Sequence, residues 1–250
     1  PQILTNKSEL FVKTCEELKD LGYEEVNLNL GCPSGTVVAK KKGAGMLEDP
    51  DSLDRFLDGI FSASPLPISV KTRLGLADSE EFCRILEVFN RYPIAELTVH
   101  PRVRKQFYSG DVDMEMFRYA AKNSRNRLCY NGDIDSMKTL KETQLRFPQV
   151  DAFMIGRGLV GDPGMLAPDG TNVKVLEQFH AHLLEEYSVC FGSARNAMFR
   201  MKENWHYLSD HFKGGEKLFK NLRKTTDLEV DHTCTSTRIC NVWSNYTCSD

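Results

Sequence analysis

The sequence predicts an α/β fold of the (β/α)8-barrel type, here with six strands, followed by a small all-α bundle. Short apolar runs alternate with segments of helical spacing, which is typical of parallel strands joined by helices. Five of the six predicted strands end in polar or glycine residues, as the strands of a barrel do where they carry chemistry. From about residue 171 onward the pattern is purely helical.

The strands are predicted from six apolar runs. A doubly wound sheet could also use this number of strands, but the polar strand ends favour the barrel. In that case the first two strand–helix units of an eight-stranded barrel would be missing. The runs are QIL (2–4), EVNLNL (25–30), PISVKTRL (67–74), AELTVH (95–100), RLCYNG (127–132) and DAFMIGRG (151–158).

Five segments between these runs have the apolar spacing of helices. In the first, Ser8 is the candidate N-cap and Gly22 the stop. These segments cover 8–22, 51–61, 79–92, 113–123 and 136–145. After a linker at 167–172, three more helical segments follow at 173–192, 193–214 and 215–228. The predicted organisation is a barrel at 1–166, a helical domain at 171–228 and a disordered tail at 229–250.

The charge distribution, the cysteines and the apolar runs indicate which kinds of partner and site to expect. The formal net charge of −3 alone argues against a polyanionic partner, but residues 193–225 hold eight Lys/Arg against three Asp/Glu. Such a local basic patch matters more than the sum for binding nucleic acid. The eight cysteines include no CxxC pair, so no metal site is predicted, and their scatter is typical of a reduced cytoplasmic protein. No apolar run is long enough to span a membrane.

Cys32 is the candidate catalytic residue. It follows the strand EVNLNL, between Gly31 and Pro33. These neighbours favour a sharp turn that presents the thiol at the mouth of the barrel. A thiol there can act as a nucleophile or as a general acid, although a buried strand cysteine is more often a packing residue.

Two glycine loops follow the last two predicted strands, NGD (131–133) and GRG (156–158). Backbone N–H groups of such loops bind phosphate, and Arg157 can add a charged hydrogen bond. The pair therefore indicates a phosphorylated cofactor. Lys71 and His100 also lie at strand ends; Lys71 would suit the anionic edge of a flavin ring, or else a surface salt bridge, and His100 could donate to a ring oxygen.

Taken together, five motifs resemble those of the tRNA-dihydrouridine synthases over residues 2–225. The motif GCPS-x-TV is most similar to that of the bacterial enzymes that modify tRNA position 16. The family's opening strands, including a Pro-Met-type loop behind the flavin, have no counterpart here. The motifs are VNLNLGCPSGTV…GAGML, ISVKTRLG, LTVHPR, NGDI and FMIGRG.

The resemblance implies an FMN-binding barrel followed by a tRNA-binding helical domain. It implies that Cys32 is the general acid and that Asn29 lines the uracil pocket. It also places Arg102 and Lys40, Lys41 and Lys42 in loops that face tRNA. The implied FMN contacts are Gln2, Lys71, His100, Asn131, Gly132, Asp133, Gly156 and Arg157.

The implied activity is flavin-dependent reduction of a tRNA uridine to 5,6-dihydrouridine, with NADPH as the reductant and tRNA as the partner. A monomer in the cytoplasm is expected. Two alternatives stay open: an FMN enzyme resembling dihydroorotate dehydrogenase that acts on a free pyrimidine, and a catalytically inactive RNA-binding remnant. Activity on free pyrimidine would favour the first, and absence of a bound flavin would favour the second.

Overall fold

The computed structural model describes residues 1–168, 170–208, 220 and 224. Within this part, one sheet of six parallel strands runs in chain order. The predicted α/β class and strand number are therefore confirmed. The strands are Gln2–Ile3 (β1), Val26–Leu30 (β2), Ile68–Arg73 (β3), Leu97–His100 (β4), Leu128–Tyr130 (β5) and Ala152–Phe153 (β6).

Helices connect successive strands, as the alternating pattern predicts. Most of the third predicted helical segment of the bundle, and the whole predicted tail, lie outside the described residues. The described helices are Ser8–Asp20 (α1), Gly35–Val38 (α2), Pro50–Ala63 (α3), Glu81–Phe89 (α4), Met114–Asn123 (α5), Met137–Arg146 (α6), Arg157–Gly161 (α7), Val173–Cys190 (α8) and Ala194–Leu208 (α9).

The two ends of α1 test the predicted helix boundaries. Lys7 is the N-cap, and Ser8 is the first helical residue and makes no capping bond, so the predicted cap is wrong by one position. Gly22 does end the helix. Its φ of +87° is the left-handed conformation that glycine adopts without strain, and the N–H of Tyr23 donates to the carbonyl of Leu18 across it at 3.1 Å.

The last predicted strand is shorter than its apolar run. β6 ends at Phe153, and Arg157 begins the short helix α7. Gly158, counted as part of the strand end, lies within α7 instead. A Cβ at this position would lie 2.3 Å from the carbonyl oxygen of Ile134, so the close approach of these two backbones requires glycine.

The core of the sheet lies on the face that the helices cover. Val26, Leu28 and Leu30 of β2 are each 0% exposed. Phe11 of α1 packs edge-on against Phe56 of α3, with ring centroids 6.4 Å apart. Burial of such apolar side chains is the main source of stability in a fold of this kind.

The described chain divides into two compact units. The first holds all six described strands and consists of residues 1–133 and 141–154. The second comprises Ile134–Leu140 and the described residues from Ile155 onward. In the second unit, α8 begins at a cap formed by the Asn172 side chain, and its core contains Leu176, Met201, Trp205 and Leu208. None of the helices described is both long and apolar enough to cross a membrane.

Candidate active site

The two faces of the sheet differ in chemistry, because successive side chains of a strand point to opposite sides. In β2, apolar residues alternate with Asn27 and Asn29. The strand register aligns these asparagines with polar residues of the neighbouring strands, and residues in register share a face. We call this face the polar face. Its members are Gln2, Asn27, Asn29, Ser69, Lys71, Arg73, Thr98, His100 and Cys129.

Side-chain amides connect the first three strands on the polar face. Gln2 Nε2 donates to Asn27 Oδ1 at 2.7 Å, and Asn29 Nδ2 donates to Gln2 Oε1 at 2.8 Å. Asn27 Nδ2 donates in turn to Ser69 Oγ at 3.0 Å. The structure therefore brings together Gln2, predicted to contact the flavin, and Asn29, predicted to line the base pocket.

Cys32 lies in the turn that follows β2, and its side chain is partly exposed. Asn29 shapes this turn, because its Oδ1 accepts the N–H groups of Gly31 and Cys32, both at 3.0 Å. The N–H of Ala44 donates to the Cys32 carbonyl at 3.1 Å. Gly43 has a φ of +54°, and a Cβ there would lie 2.9 Å from Cys32 Cβ, so this close contact requires glycine.

Two arginines hold the carbonyls of the same turn. Arg73 is 2% exposed, and its Nε donates to the Gly31 carbonyl at 3.0 Å. Its terminal nitrogens donate to carbonyls in the loop after β4, including that of Phe107 at 2.6 Å. Arg104 Nε donates to the Pro33 carbonyl at 3.1 Å. The backbone on both sides of the thiol is therefore fixed by charge-assisted hydrogen bonds.

Lys71 carries a charge that no described residue neutralises. It is half-buried, and it has neither a hydrogen bond nor a salt bridge within the described part of the chain. Burial, with a contribution from the nearby Arg73 guanidinium, lowers the pKa of Lys71 to about 8. An ammonium group in this setting would be stabilised by an anionic ligand, as predicted for Lys71 beside a flavin.

His100 ends β4 in a strongly cationic environment. Its ring stacks on Tyr108 with centroids 6.2 Å apart. Burial, followed by the positive charges of Arg73, Lys71 and Arg102, lowers the pKa of His100 to about 3. The imidazole is therefore neutral at physiological pH, which is the form that can donate to a ring oxygen without adding charge.

Arg102 does not face solvent, contrary to the prediction that it contacts RNA. It is only 2% exposed. Its Nη1 donates to Asp133 Oδ1 at 2.9 Å, and its Nη2 donates to Asp133 Oδ2 and to the Gly110 carbonyl. A contact with phosphate needs an accessible guanidinium, so the prediction for Arg102 is wrong. A strand-end arginine in the motif HPR gives the same sequence signal whether it is exposed or paired.

The predicted phosphate loops lie in different units. Asn131 Nδ2 donates to the Met154 carbonyl at 2.8 Å, which ties the end of β5 to the chain after β6. Gly132, next to Asp133, is half-buried. Gly156 and Arg157 are exposed and belong to the second unit. Their joint role in holding a phosphate stays a prediction.

The lysine run lies next to the cysteine turn along the chain. Lys40 and Lys41 are exposed and Lys42 is half-buried. Lys42 directly precedes Gly43, the residue that packs against Cys32. The run therefore presents positive charge beside the candidate thiol, as the predicted tRNA contact requires.

The second unit contains a half-buried histidine on α8. His180 Nε2 accepts a hydrogen bond from Trp205 Nε1 at 2.9 Å, and burial lowers the pKa of His180 to about 4. Of the basic residues predicted to bind RNA here, Arg195, Lys220 and Lys224 are exposed, and Arg200 pairs with Glu203. Lys213, Lys217 and Arg223 lie outside the described residues. No group of metal-binding side chains occurs among the described residues.

Sequence reasoning missed five residues of the site region. The signal for three of them was available, because Asn27 lies two positions from Asn29, and Ser69 and Arg73 each lie two positions from Lys71, so they must share the same face of the strand. The other two, Arg104 and Tyr108, depend on the geometry of the loop after β4, which the sequence does not encode locally. The missed residues are Asn27, Ser69, Arg73, Arg104 and Tyr108.

Comparisons with solved structures give weak similarities. A morphinone reductase in complex with tetrahydroNAD is 13% identical, with a TM-score of 0.45 over 63% of this chain and 46% of that chain. The old yellow enzyme from Trypanosoma cruzi is 12% identical, with a TM-score of 0.46 over 62% of this chain and 45% of that chain.

Sequence comparisons are more specific. A curated probable tRNA-dihydrouridine synthase of Staphylococcus aureus is 33% identical over 71% of this chain and 56% of its own length. A protein of the same description from Rickettsia bellii is 30% identical over 67% of this chain and 51% of its own length. The chain spans about half the length of these relatives. The family model described as dihydrouridine synthase matches residues 1–240. The chain therefore belongs to the dihydrouridine synthase family.

Proposed function

We propose that this chain is the catalytic part of an FMN-dependent enzyme that reduces a uridine of tRNA to 5,6-dihydrouridine. One observation carries the proposal: the fixed, partly exposed Cys32 follows β2 three residues after Asn29, and Asn29 is in register with Lys71, a cation without an ion pair among the described residues. Family membership and the curated descriptions of the relatives support it.

The residues of the polar face fit a flavin. Lys71 supplies a positive charge without a described protein partner, which suits the N1–C2=O edge of the ring. His100 is neutral and can donate to a ring oxygen, and Gln2 lies in the adjoining amide row. When bound, reduced FMN supplies the hydride for C6 of uracil, and NADPH is the proposed reductant. The residues proposed to hold the phosphate and the ribityl chain of FMN are Asn131, Gly132, Asp133, Gly156 and Arg157.

Cys32 is proposed to supply the proton that uracil C5 takes up during the reduction. A general acid must carry its proton and be held within reach of the accepting atom. The bonds from Asn29, Ala44 and Arg73 to the turn fix the position of the thiol. Asn29 is proposed to line the base pocket beside it, where its remaining amide hydrogen can contact the base.

A tRNA substrate would be held by phosphate contacts around the thiol, because the target base must leave its stack to react. Lys40, Lys41 and Lys42 are proposed to make these contacts on the first unit. The helices of the second unit are proposed to add a further basic surface. We also propose that the enzyme acts in the cytoplasm.

Purification followed by spectroscopy tests the proposal as a whole. The chain should bind FMN stoichiometrically, show a flavin absorbance, and form dihydrouridine in uridine-containing tRNA when NADPH is added. Binding of FMN with turnover of free uracil or dihydroorotate, but not of tRNA, would favour the free-pyrimidine alternative. RNA binding without any bound flavin would favour the inactive remnant, and either result would overturn the proposal.

Replacing Lys40, Lys41 and Lys42 together by glutamine tests the RNA contact. The affinity for tRNA should fall, and the slope of log Kd against log salt concentration should become shallower by about 2 to 3, because each lost phosphate contact releases fewer counterions. FMN binding should not change. The matched control replaces exposed Lys13, Lys19 and Lys122 by glutamine, which removes the same charge elsewhere. An equal loss in both triple variants would contradict a specific contact.

A further inference from the structure

The contact between Arg102 and His100 fixes where the imidazole carries its proton. Arg102 Nη1 lies 3.1 Å from His100 Nε2, and both side chains are buried. A guanidinium has only N–H donors and stays protonated in proteins. His100 Nε2 must therefore be the acceptor and carry no hydrogen. In a neutral imidazole the single hydrogen is then on Nδ1.

The surroundings of His100 oppose a second proton. The charged groups that act on it are the cations Arg73, Lys71 and Arg102 and the anion Asp133, and the Tyr108 ring covers one side. Three positive charges against one carboxylate disfavour an imidazolium. Both ring nitrogens could be protonated only if the Arg102 bond to Nε2 were broken. His100 is therefore held in one neutral tautomer.

Asp133 orients the guanidinium that makes this contact. Its two carboxylate oxygens accept from Arg102 Nη1 and Nη2, the two-point geometry that suits a guanidinium. The Gly110 carbonyl accepts from Nε at 3.1 Å and also from Nη2. These bonds leave the Nη1 edge directed at His100. A lysine, as a single point charge, cannot make all of these contacts.

We propose that Arg102, oriented by Asp133, is a positioning residue that holds His100 as a neutral Nδ1–H donor on the polar face. The assignment of the tautomer rests only on the chain's own side chains. Its use, donation from Nδ1 to a ring oxygen of the bound cofactor, rests on the proposed function. The same arrangement gives Asp133 a role that differs from a direct phosphate contact.

Nitrogen NMR of the ligand-free protein tests the tautomer separately from the activity. With 15N-labelled histidine, His100 should show a pyridine-type Nε2 and a pyrrole-type Nδ1, with no titration between pH 5 and 8. Loss of the signals in His100→Asn assigns them. A pyrrole-type Nε2, or an imidazole that titrates near pH 6.5, would overturn the proposal even if the protein reduces tRNA normally.

Variants at Arg102 separate positioning from general support of the fold. In Arg102→Met, the tautomer with a pyridine-type Nε2 should no longer be the sole species, and the spectrum should show a mixture of both tautomers. Arg102→Lys, which keeps one charged donor, should restore part of the original signal. Asp133→Asn, which weakens the orientation of Arg102, should give an intermediate spectrum. Arg84→Met on the exposed side of α4 is the control and should leave His100 unchanged. An unaltered His100 spectrum in folded Arg102→Met would contradict the proposal.

Discussion

The two faces of one strand, β2, have opposite physical roles. Val26, Leu28 and Leu30 are fully buried, whereas the intervening Asn27 and Asn29 point to a face of amides and cations. Burial of the apolar face stabilises the folded protein. The polar face holds charges that burial disfavours, as the lowered pKa values of Lys71 and His100 show. Alternate residues of β2 therefore have different roles: one set stabilises the fold, and the other faces the proposed site.

Alanine substitutions on the two faces of β2 give the largest expected difference. Leu28→Ala removes a fully buried side chain and should lower the free energy of unfolding by about 2–5 kcal/mol. Asn27→Ala breaks two hydrogen bonds on the polar face and should cost only about 1–2 kcal/mol. Urea unfolding of both variants measures the contrast, and equal losses would contradict the division of roles.

The pH dependence of stability isolates His100. Its pKa is about 3 in the folded protein against 6.5 in the unfolded chain, so the folded state binds fewer protons between these values. Its contribution to stability is fully present above pH 6.5 and is lost as the pH falls towards 3. Between pH 6.5 and 4 the wild type should lose about 3 kcal/mol more than His100→Asn.

Urea unfolding at several pH values measures this difference. His182→Asn is the control, because His182 is an exposed residue of the second unit. That variant should follow the wild-type pH profile. A wild type and a His100→Asn variant with parallel profiles would show that His100 is not held neutral.

Lys71→Met should raise the stability of the protein and weaken its binding of FMN. The pKa of Lys71 is about 8 when folded and 10.5 when unfolded, so its charge opposes folding at pH 7, and this penalty disappears only as the pH rises above 10.5. The variant should therefore be more stable at pH 7 by about 1–3 kcal/mol. FMN binding should weaken by about 10- to 100-fold through loss of a charged contact.

Two measurements check this trade-off on the same sample, urea unfolding at pH 7 and fluorescence titration with FMN. Lys122→Met, at an exposed position of α5, is the matched control and should change neither value. A Lys71→Met protein that is destabilised would indicate that Lys71 has a stabilising partner.

The sequence predicts the fold well because the fold follows from local patterns. Alternation of strand and helix signals predicts the six described parallel strands, and glycine with its freedom at positive φ predicts the end of α1 at Gly22. The (β/α)8-barrel type is consistent with membership of the dihydrouridine synthase family. The error at the last strand arose because Gly156 and Gly158 look like a strand end, whereas Gly158 lies within α7, where its backbone packs closely against that of Ile134.

The site was only partly predictable, because its geometry depends on contacts distant in sequence. Cys32 and Lys71 could be found from their positions after apolar runs. Arg102 could not be placed, since only the register of β4 against the loop containing Asp133 decides whether it meets solvent or a carboxylate. The same holds for Arg73, whose bond to the Gly31 carbonyl spans 42 positions of the chain.

The most direct test of the account is single-turnover reduction of tRNA by FMN-loaded, pre-reduced protein carrying Cys32→Ala. Loss of the positioned acid should slow dihydrouridine formation by roughly 10²–10⁴-fold while FMN affinity stays within about twofold. Cys83→Ala, a partly exposed thiol on α4, is the control and should react at the wild-type rate. A Cys32→Ala protein that reduces tRNA as fast as the wild type would contradict the account.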